Sequence, residues 1–338
     1  VTESAPDVTY QRQLITLQDG ATVALDWARG FPAGDVDSSQ DSHPALSPSA
    51  TSKASASSPA IPILIVAHGL MSSARGGEVR RVVAKALERT EWNVVGINMR
   101  GCGGVKLTTP VPCLTGNTYD LAGIVQHLRA TFPSSPLLAI GISHSGNTVA
   151  KYVGEMGDKC ELDGAAVLSP LLSIADHNNK NGPQKYDWWT CLTTFTLRNH
   201  IREHAAVLAK SDKIDVRQAL NARDYDEYDY ALTLPCYGIP TLKEYHKAAS
   251  ASTYSHNITV PTITLIAEND PICKVESARE IAKTMGPGMA MCITNSGGHS
   301  FFSEEGDMSK CFFDRLALDW LEQCLLAKDR KPLEGASK

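Results

Sequence analysis

The chain is poor in the features that would mark it as anything other than a large globular domain. Nine cysteines are scattered over 338 residues, at positions 102, 113, 160, 191, 236, 273, 292, 311 and 324, and no two form a C-x-x-C pair. That excludes a zinc-finger or thioredoxin-type motif, and a chain of this length needs no disulfide framework, so reduced and mostly buried thiols are expected. There is no block of five or more basic residues, and 32 Lys and Arg against 37 Asp and Glu give a formal charge of −5. A nucleic-acid partner is therefore not expected. Nowhere does an apolar run approach the ~18–20 residues of a membrane span, no signal-peptide architecture opens the chain, and no internal repeat is visible. Hydrophobic residues make up 43% and charged ones 20%, too apolar for a disordered chain. The length suits one large α/β domain with an insertion, or two smaller domains.

What is present is an alternation of apolar runs and helical spacings. Leu14–Leu17 and the period-two set Val23, Leu25 and Trp27 flank Asp19-Gly20 and predict a β-hairpin within residues 1–32. From Ala33 to Ala60 the composition changes: 18 of the 28 residues are Ser, Ala or Pro, which predicts a flexible insert unable to bury enough surface to order itself. Strands are then expected at 61–67, 92–99, 137–142, 165–168, 262–267 and 289–294. Helices are expected around Val79–Leu87, Leu121–Leu128, Val149–Met156, Val275–Met285 and Phe312–Leu326. Nearly continuous apolar strands alternating with helices predict a mostly parallel central sheet covered by helices on both faces. Between Pro170 and Val260 the alternation lapses, and ten of the chain's 22 aromatics fall there. This predicts a helical cap at 171–258, its aromatics serving as its own core, as a substrate pocket, or both. The α/β core is thereby divided into 61–170 and 259–330, with a tail at 331–338.

The chemistry is carried by three loops. Leu138–Ile142 is an apolar strand that runs through Gly141-x-Ser143-x-Ser145 into a helix, close to the G-x-S-x-G turn that holds a nucleophilic serine out at the end of a sheet. Serine replaces the second glycine. A serine needs a base, and the base needs an acid that fixes its tautomer. Strand 262–267 is followed at once by Asp270, and strand 289–294 by Gly297-Gly298-His299, the order Ser, Asp, His of this architecture. Ser143, Asp270 and His299 are therefore the predicted catalytic residues. After strand 61–67, the His68-Gly69-Leu70 turn predicts that the Leu70 backbone N–H joins that of His144 as an oxyanion hole. His68 as the base and Ser145 as the nucleophile are the lesser candidates. Arg100-Gly101-Cys102-Gly103-Gly104 lacks the residues of a phosphate loop and reads as a glycine turn near the site. Asp224, Asp226, Glu227 and Asp229 lack calcium-loop spacing and read as a solvated acidic face. No metal or organic cofactor is called for.

With these motifs in view the chain resembles the α/β-hydrolases, and more narrowly the YheT-like branch of esterases, medium-chain ethyl ester synthase/esterases and acylglycerol or phospholipid hydrolases. The likeness runs from about Tyr10 to Leu326 outside the 33–60 insert. Its marks are Leu25-Asp26-Trp27, His68-Gly69-Leu70, Asn98–Gly104, the elbow with Gly146-Asn147, Asn269-Asp270-Pro271 and Gly297-Gly298-His299. The resemblance implies the α/β-hydrolase fold, a nucleophile at Ser143, acid at Asp270 and base at His299, and a cap between the sixth and seventh strands. The expected activity is hydrolysis of lipophilic short- or medium-chain esters or monoacylglycerols through an acyl-enzyme. The rivals are an alcohol acyltransferase using the same residues, and an idle hydrolase fold that binds lipid or serves as a scaffold. Because the chain starts at Val1 and many relatives carry an anchor, membrane association through an N-terminal segment or the cap is an expectation, with a cytoplasmic or intracellular location. Oligomeric state is not readable.

Overall fold

Four successive strands, β3 (Ile63–Ala67), β5 (Leu137–Ile142), β6 (Gly164–Leu168) and β7 (Thr262–Ala267), have every residue buried. That is the signature of a parallel sheet shielded on both faces. In the computed structural model, which describes residues 6–32, 60–175, 188–304 and 307–329, they are joined by β1 (Gln11–Thr16), β2 (Thr22–Arg29), β4 (Asn93–Asn98) and β8 (Met289–Thr294). The order is β1-β2-β4-β3-β5-β6-β7-β8. β1 pairs with β2, and β2 with β4, antiparallel; the remaining pairs are parallel. The β1–β2 turn is the predicted one, with Gly20 at φ 81° and its N–H on the Leu17 carbonyl at 2.9 Å.

Period-two alternation sends side chains of one strand to two separate cores. Leu64 and Val66 join Leu138, Ile140, Phe313 and Leu318 on one face. Ile63, Ile65 and Ala67 join Leu121, Ile124, Val149 and Val153 on the other. Helix α1 (Gly77–Arg89) covers the first face with Val79, Val82, Val83 and Ala86, the spacing of an amphipathic stripe. The C-terminal helix (Phe312–Asp329) lies beside it. Helices α2 (Tyr119–Thr131), α3 (His144–Met156) and Val275–Ala282 cover the second face.

Several marks of the sequence are structural staples. Asp26 is fully buried and receives Arg12 twice at 2.7 Å and Asn98 Nδ2 at 3.0 Å. Buried Arg100 pairs with Asp120 (Nε–Oδ1 2.7 Å) and Asp19 (2.8 Å), while Gly101, Gly103 and Gly104 take positive φ. A Cβ on Gly103 would stand 2.0 Å from Asn98 Oδ1, so this turn needs glycine for space as well as conformation.

Between β6 and β7 the described residues form helices and no strand: Trp188–Leu208, Val216–Asn221, Tyr225–Tyr228, a π-helical turn Asp229–Thr233, Leu234–Tyr237 and Leu242–Ala249, followed by short 3-10 turns. Their core includes Leu197, Ile201, Leu208, Tyr228 and Leu232 together with Leu107 and Leu114 from the loop after β4. The aromatics divide: Tyr228 and Tyr245 are buried, whereas Trp188, Phe195 and Tyr230 are more than half exposed. A two-stranded ribbon, β9 (Ser303–Glu304) and β10 (Asp307–Cys311), has no counterpart in the sequence reading, since 303–311 is polar and lacks alternation. The first core strand starts at Ile63 rather than Ile61, because Pro62 has no N–H to give to a ladder. All nine cysteines are free thiols, five of them buried. The Ser/Ala/Pro-rich stretch other than Ala60, and the tail 331–338, lie outside the described residues.

Candidate active site

The site begins with one backbone outlier. β5 ends at Ile142 and α3 starts at His144, so the whole change of direction falls on Ser143, at φ 55° and ψ −111°. Positive φ is costly for a non-glycine residue and persists only where the surroundings enforce it. Here the Ser143 N–H is held by the Leu168 carbonyl at 2.8 Å. The helix start is pressed so tightly on the sheet that a Cβ on Gly141 would lie 2.4 Å from the Ser145 carbonyl oxygen, and one on Gly146 would lie 2.9 Å from Pro170 Cβ. Ser145 stands where the elbow pattern has glycine. It is fully buried, and its hydroxyl donates to the His68 carbonyl. The extra side chain is therefore accommodated by tying α3 to the turn after β3.

The three predicted side chains meet. His299 Nε2 is 2.8 Å from Ser143 Oγ, and its Nδ1 is 3.0 and 3.1 Å from the two Asp270 oxygens. Asp270, with no side-chain exposure, also accepts the N–H groups of Ile272 and Cys273 at 2.8 and 2.9 Å. These bonds orient the carboxylate toward the imidazole. The His299 loop is fixed from behind. The Ser300 N–H donates to Ser169 Oγ at 2.9 Å, and the Ser300 carbonyl accepts Arg81 Nη2 at 2.8 Å. Arg81 is paired with buried Asp314 on the C-terminal helix and lies over the Phe301 ring at 5.0 Å.

The lesser candidates are occupied elsewhere. His68 is fully buried, contacts the Gly69 carbonyl through Nδ1 at 2.7 Å and accepts the Met99 N–H at Nε2. Burial pulls its pKa down. The turn it begins lies against Ser143, since a Cβ on Gly69 would be 3.9 Å from Ser143 Cβ. Among the described residues, the N–H groups of Leu70 and His144 donate to no backbone carbonyl. Cys273, unremarked in the sequence, brings Sγ within 4.0 Å of His299 Nδ1 and donates to the Ser169 carbonyl. Burial raises its thiol well above the ordinary range. Asp270, Cys273 and His299 place one potential metal ligand each within 4.8 Å of one another, but the imidazole nitrogen among them is already directed at Asp270.

Ser143, His144 and Leu70 open on a cavity enclosing about 750 Å³, its mouth included. Leu114, Leu171, Ile174, Leu197 and Ile272 give it apolar walls, and Tyr225, Tyr228, Asp229 and Thr233 enter from the helices between β6 and β7. The last group corrects the reading of 224–229 as a solvated acidic face. Asp224 is 2% exposed and caps its helix by accepting the Glu227 N–H at 3.0 Å. Asp229 is 6% exposed, and burial, opposed by the Thr233 hydroxyl and aided by Asp226, raises its pKa to about 7. Short acidic runs do not reveal which members a helix turns inward.

Residues 58–306 match the family described as "Serine aminopeptidase, S33". The chain is similar to "Phospholipase ABHD3" of Mus musculus, 25% identical over 302 residues that span 89% of this chain and 68% of that protein. It is similar to the protein YheT of Escherichia coli (strain K12), 25% identical over 271 residues, 79% of this chain and 78% of that one. Among solved structures, the Pyrococcus furiosus esterase Pf2001 superposes with a TM-score of 0.53 at 17% identity, covering 93% of this chain and 92% of the other, a likeness of fold.

Proposed function

From its membership of this serine hydrolase family, with the α/β-hydrolase fold, we propose that the protein hydrolyses lipophilic carboxylic esters, short- or medium-chain esters or monoacylglycerols, through an acyl-enzyme. The observation that carries the reading is the unbroken line Ser143 Oγ–His299–Asp270 at the floor of a largely apolar cavity. His299 Nε2 takes the Ser143 proton as Oγ adds to the ester carbonyl carbon, and the oxygen gains the negative charge. The N–H groups of Leu70 and His144 stabilise that oxyanion. Collapse of the tetrahedral species expels the alcohol, which leaves with the proton returned by His299. Water, deprotonated by the same imidazole, then releases the acid and restores the serine. Asp270 holds the Nδ1–H tautomer and stabilises the imidazolium.

The apolar walls support a lipophilic acyl group, and a relative named as a phospholipase supports lipid esters as the class. Ser143→Ala is expected to abolish both turnover of 4-nitrophenyl octanoate and labelling by a fluorophosphonate probe. Labelling retained in that variant would move the nucleophile elsewhere.

A further inference from the structure

The two donors assigned to the oxyanion come from different elements, so their convergence depends on how those elements are held together. The Leu70 N–H belongs to the turn after β3, and the His144 N–H opens α3. Ser145, the next residue of α3, spans the gap. It is fully buried, and its hydroxyl donates to the His68 carbonyl. A glycine here, as in the G-x-S-x-G pattern, has no atom with which to make that bond.

The turn on the other side of the bond is itself braced. A trans peptide unit holds its N–H and C=O antiparallel, so the direction of the Leu70 N–H is set by whatever holds the Gly69 carbonyl. His68 Nδ1 at 2.7 Å and the Ser72 N–H at 3.2 Å lie on that oxygen. His68 Nε2 accepts the Met99 N–H at 3.3 Å, which leaves the ring proton on Nδ1, where it donates to Gly69. Burial favours the neutral ring that this arrangement needs. Met71, inside the same turn, stands at φ 49°, a conformation that a non-glycine residue keeps only where its surroundings enforce it.

We propose that Ser145 is a positioning residue of the oxyanion hole, its hydroxyl clamping α3 to the His68–Leu70 turn so that the two N–H groups converge on one point. The proposal rests on the serine-esterase reading above and adds to it a residue that touches no reacting atom. The bond joins the carriers of the two donors and does not run to His299 or Asp270. A negative charge that appears only in the transition state senses the convergence of the donors, whereas the ground-state ester does not. Loss of the clamp is therefore expected in kcat rather than in KM. Removing one such donor outright costs about 10²–10³ in kcat. Letting two donors drift apart while both remain costs less, about ten- to a hundredfold.

The test compares Ser145→Ala and Ser145→Gly with wild type on 4-nitrophenyl octanoate, at a temperature well below each variant's melt. In both variants kcat is expected to fall by about tenfold or more while KM changes by less than about twofold. The pH midpoint of kcat/KM, set by His299, is expected to stay in place. Octyl trifluoromethyl ketone supplies a second readout. Ser143 Oγ adds to its carbonyl carbon, His299 takes the proton, and the ketone oxygen becomes an oxyanion facing the same two donors. Its inhibition constant should rise by the factor by which kcat/KM falls. A kcat within about twofold of wild type in both variants overturns the proposal and leaves ester hydrolysis standing. A KM that carries the whole loss, or a pH midpoint that moves, overturns it too, since the hydroxyl then acts on substrate binding or on His299. Should Ser145→Ala not fold, Ser145→Gly, the residue of the elbow pattern itself, decides the same question. If wild type cleaves no ester and Ser143 takes no fluorophosphonate label, the esterase reading fails and the clamp with it.

Discussion

Asp229→Asn should stabilise the protein, and more so in alkaline than in acidic solution. The carboxyl is raised from the usual 3.8 to about 7, chiefly because burial penalises its charge, so the native state holds a proton that the unfolded chain has released. Stability contributed by this group therefore falls as pH rises from about 4 to about 7, by ~1.36 kcal/mol per pH unit, and is flat above. The whole cost is about 4 kcal/mol at pH 8 and between 1 and 2 kcal/mol near pH 5, by the same linkage. Asparagine has the same shape, keeps an oxygen for the Thr233 hydroxyl and has no charge to bury. Urea denaturation of wild type and variant at pH 5 and pH 8 should show the variant's advantage growing by about 2 to 3 kcal/mol between the two. An advantage that is constant across this range would mean that Asp229 ionises in place without penalty, and the argument from burial would be wrong.

Two further substitutions probe the supports of Ser143 and His299. Arg81→Leu leaves Asp314 buried without its cation and the Ser300 carbonyl without a donor; it should cost about 3–5 kcal/mol of stability and lower kcat more than it raises KM. A thermal melt together with steady-state kinetics at a temperature well below the melt checks both, and an unchanged kcat would show that the His299 loop holds its place unaided. Ser145→Ala leaves the His68 carbonyl unpaired in a buried place and should cost about 1–3 kcal/mol, read as a shift in the urea midpoint, whereas an unshifted midpoint would make that hydrogen bond dispensable.

The strands and the helices that cover them are legible because burial on both faces leaves a plain trace, unbroken apolar runs at 63–67 and 137–142 and the i, i+3, i+4, i+7 series from Val79 to Ala86. Ser143, Asp270 and His299, the side chains proposed to react, are legible for another reason: each lies on the loop that follows one of the sheet's strands, so locating the strand locates the loop. The supports are not. Arg81 lies on the opposite side of the sequence from Asp314 and Ser300, and only folding brings them within 3 Å or so. Position 145 is half legible, since a missing glycine is visible while the carbonyl that receives the serine hydroxyl is not. Asp229 is the clearest failure. Four acids among tyrosines look like a wet surface until a turn of unusual pitch is known to rotate one of them inward.

The arrangement of the sheet has one more implication. The groups proposed to break the ester bond follow the ends of strands β5, β7 and β8, while part of the pocket wall comes from helices spliced in between β6 and β7. Reagent and mould are thus encoded in separate stretches of polypeptide. Evolution, or an engineer, can recast the mould by exchanging one contiguous excursion and leave the reagent as it stands.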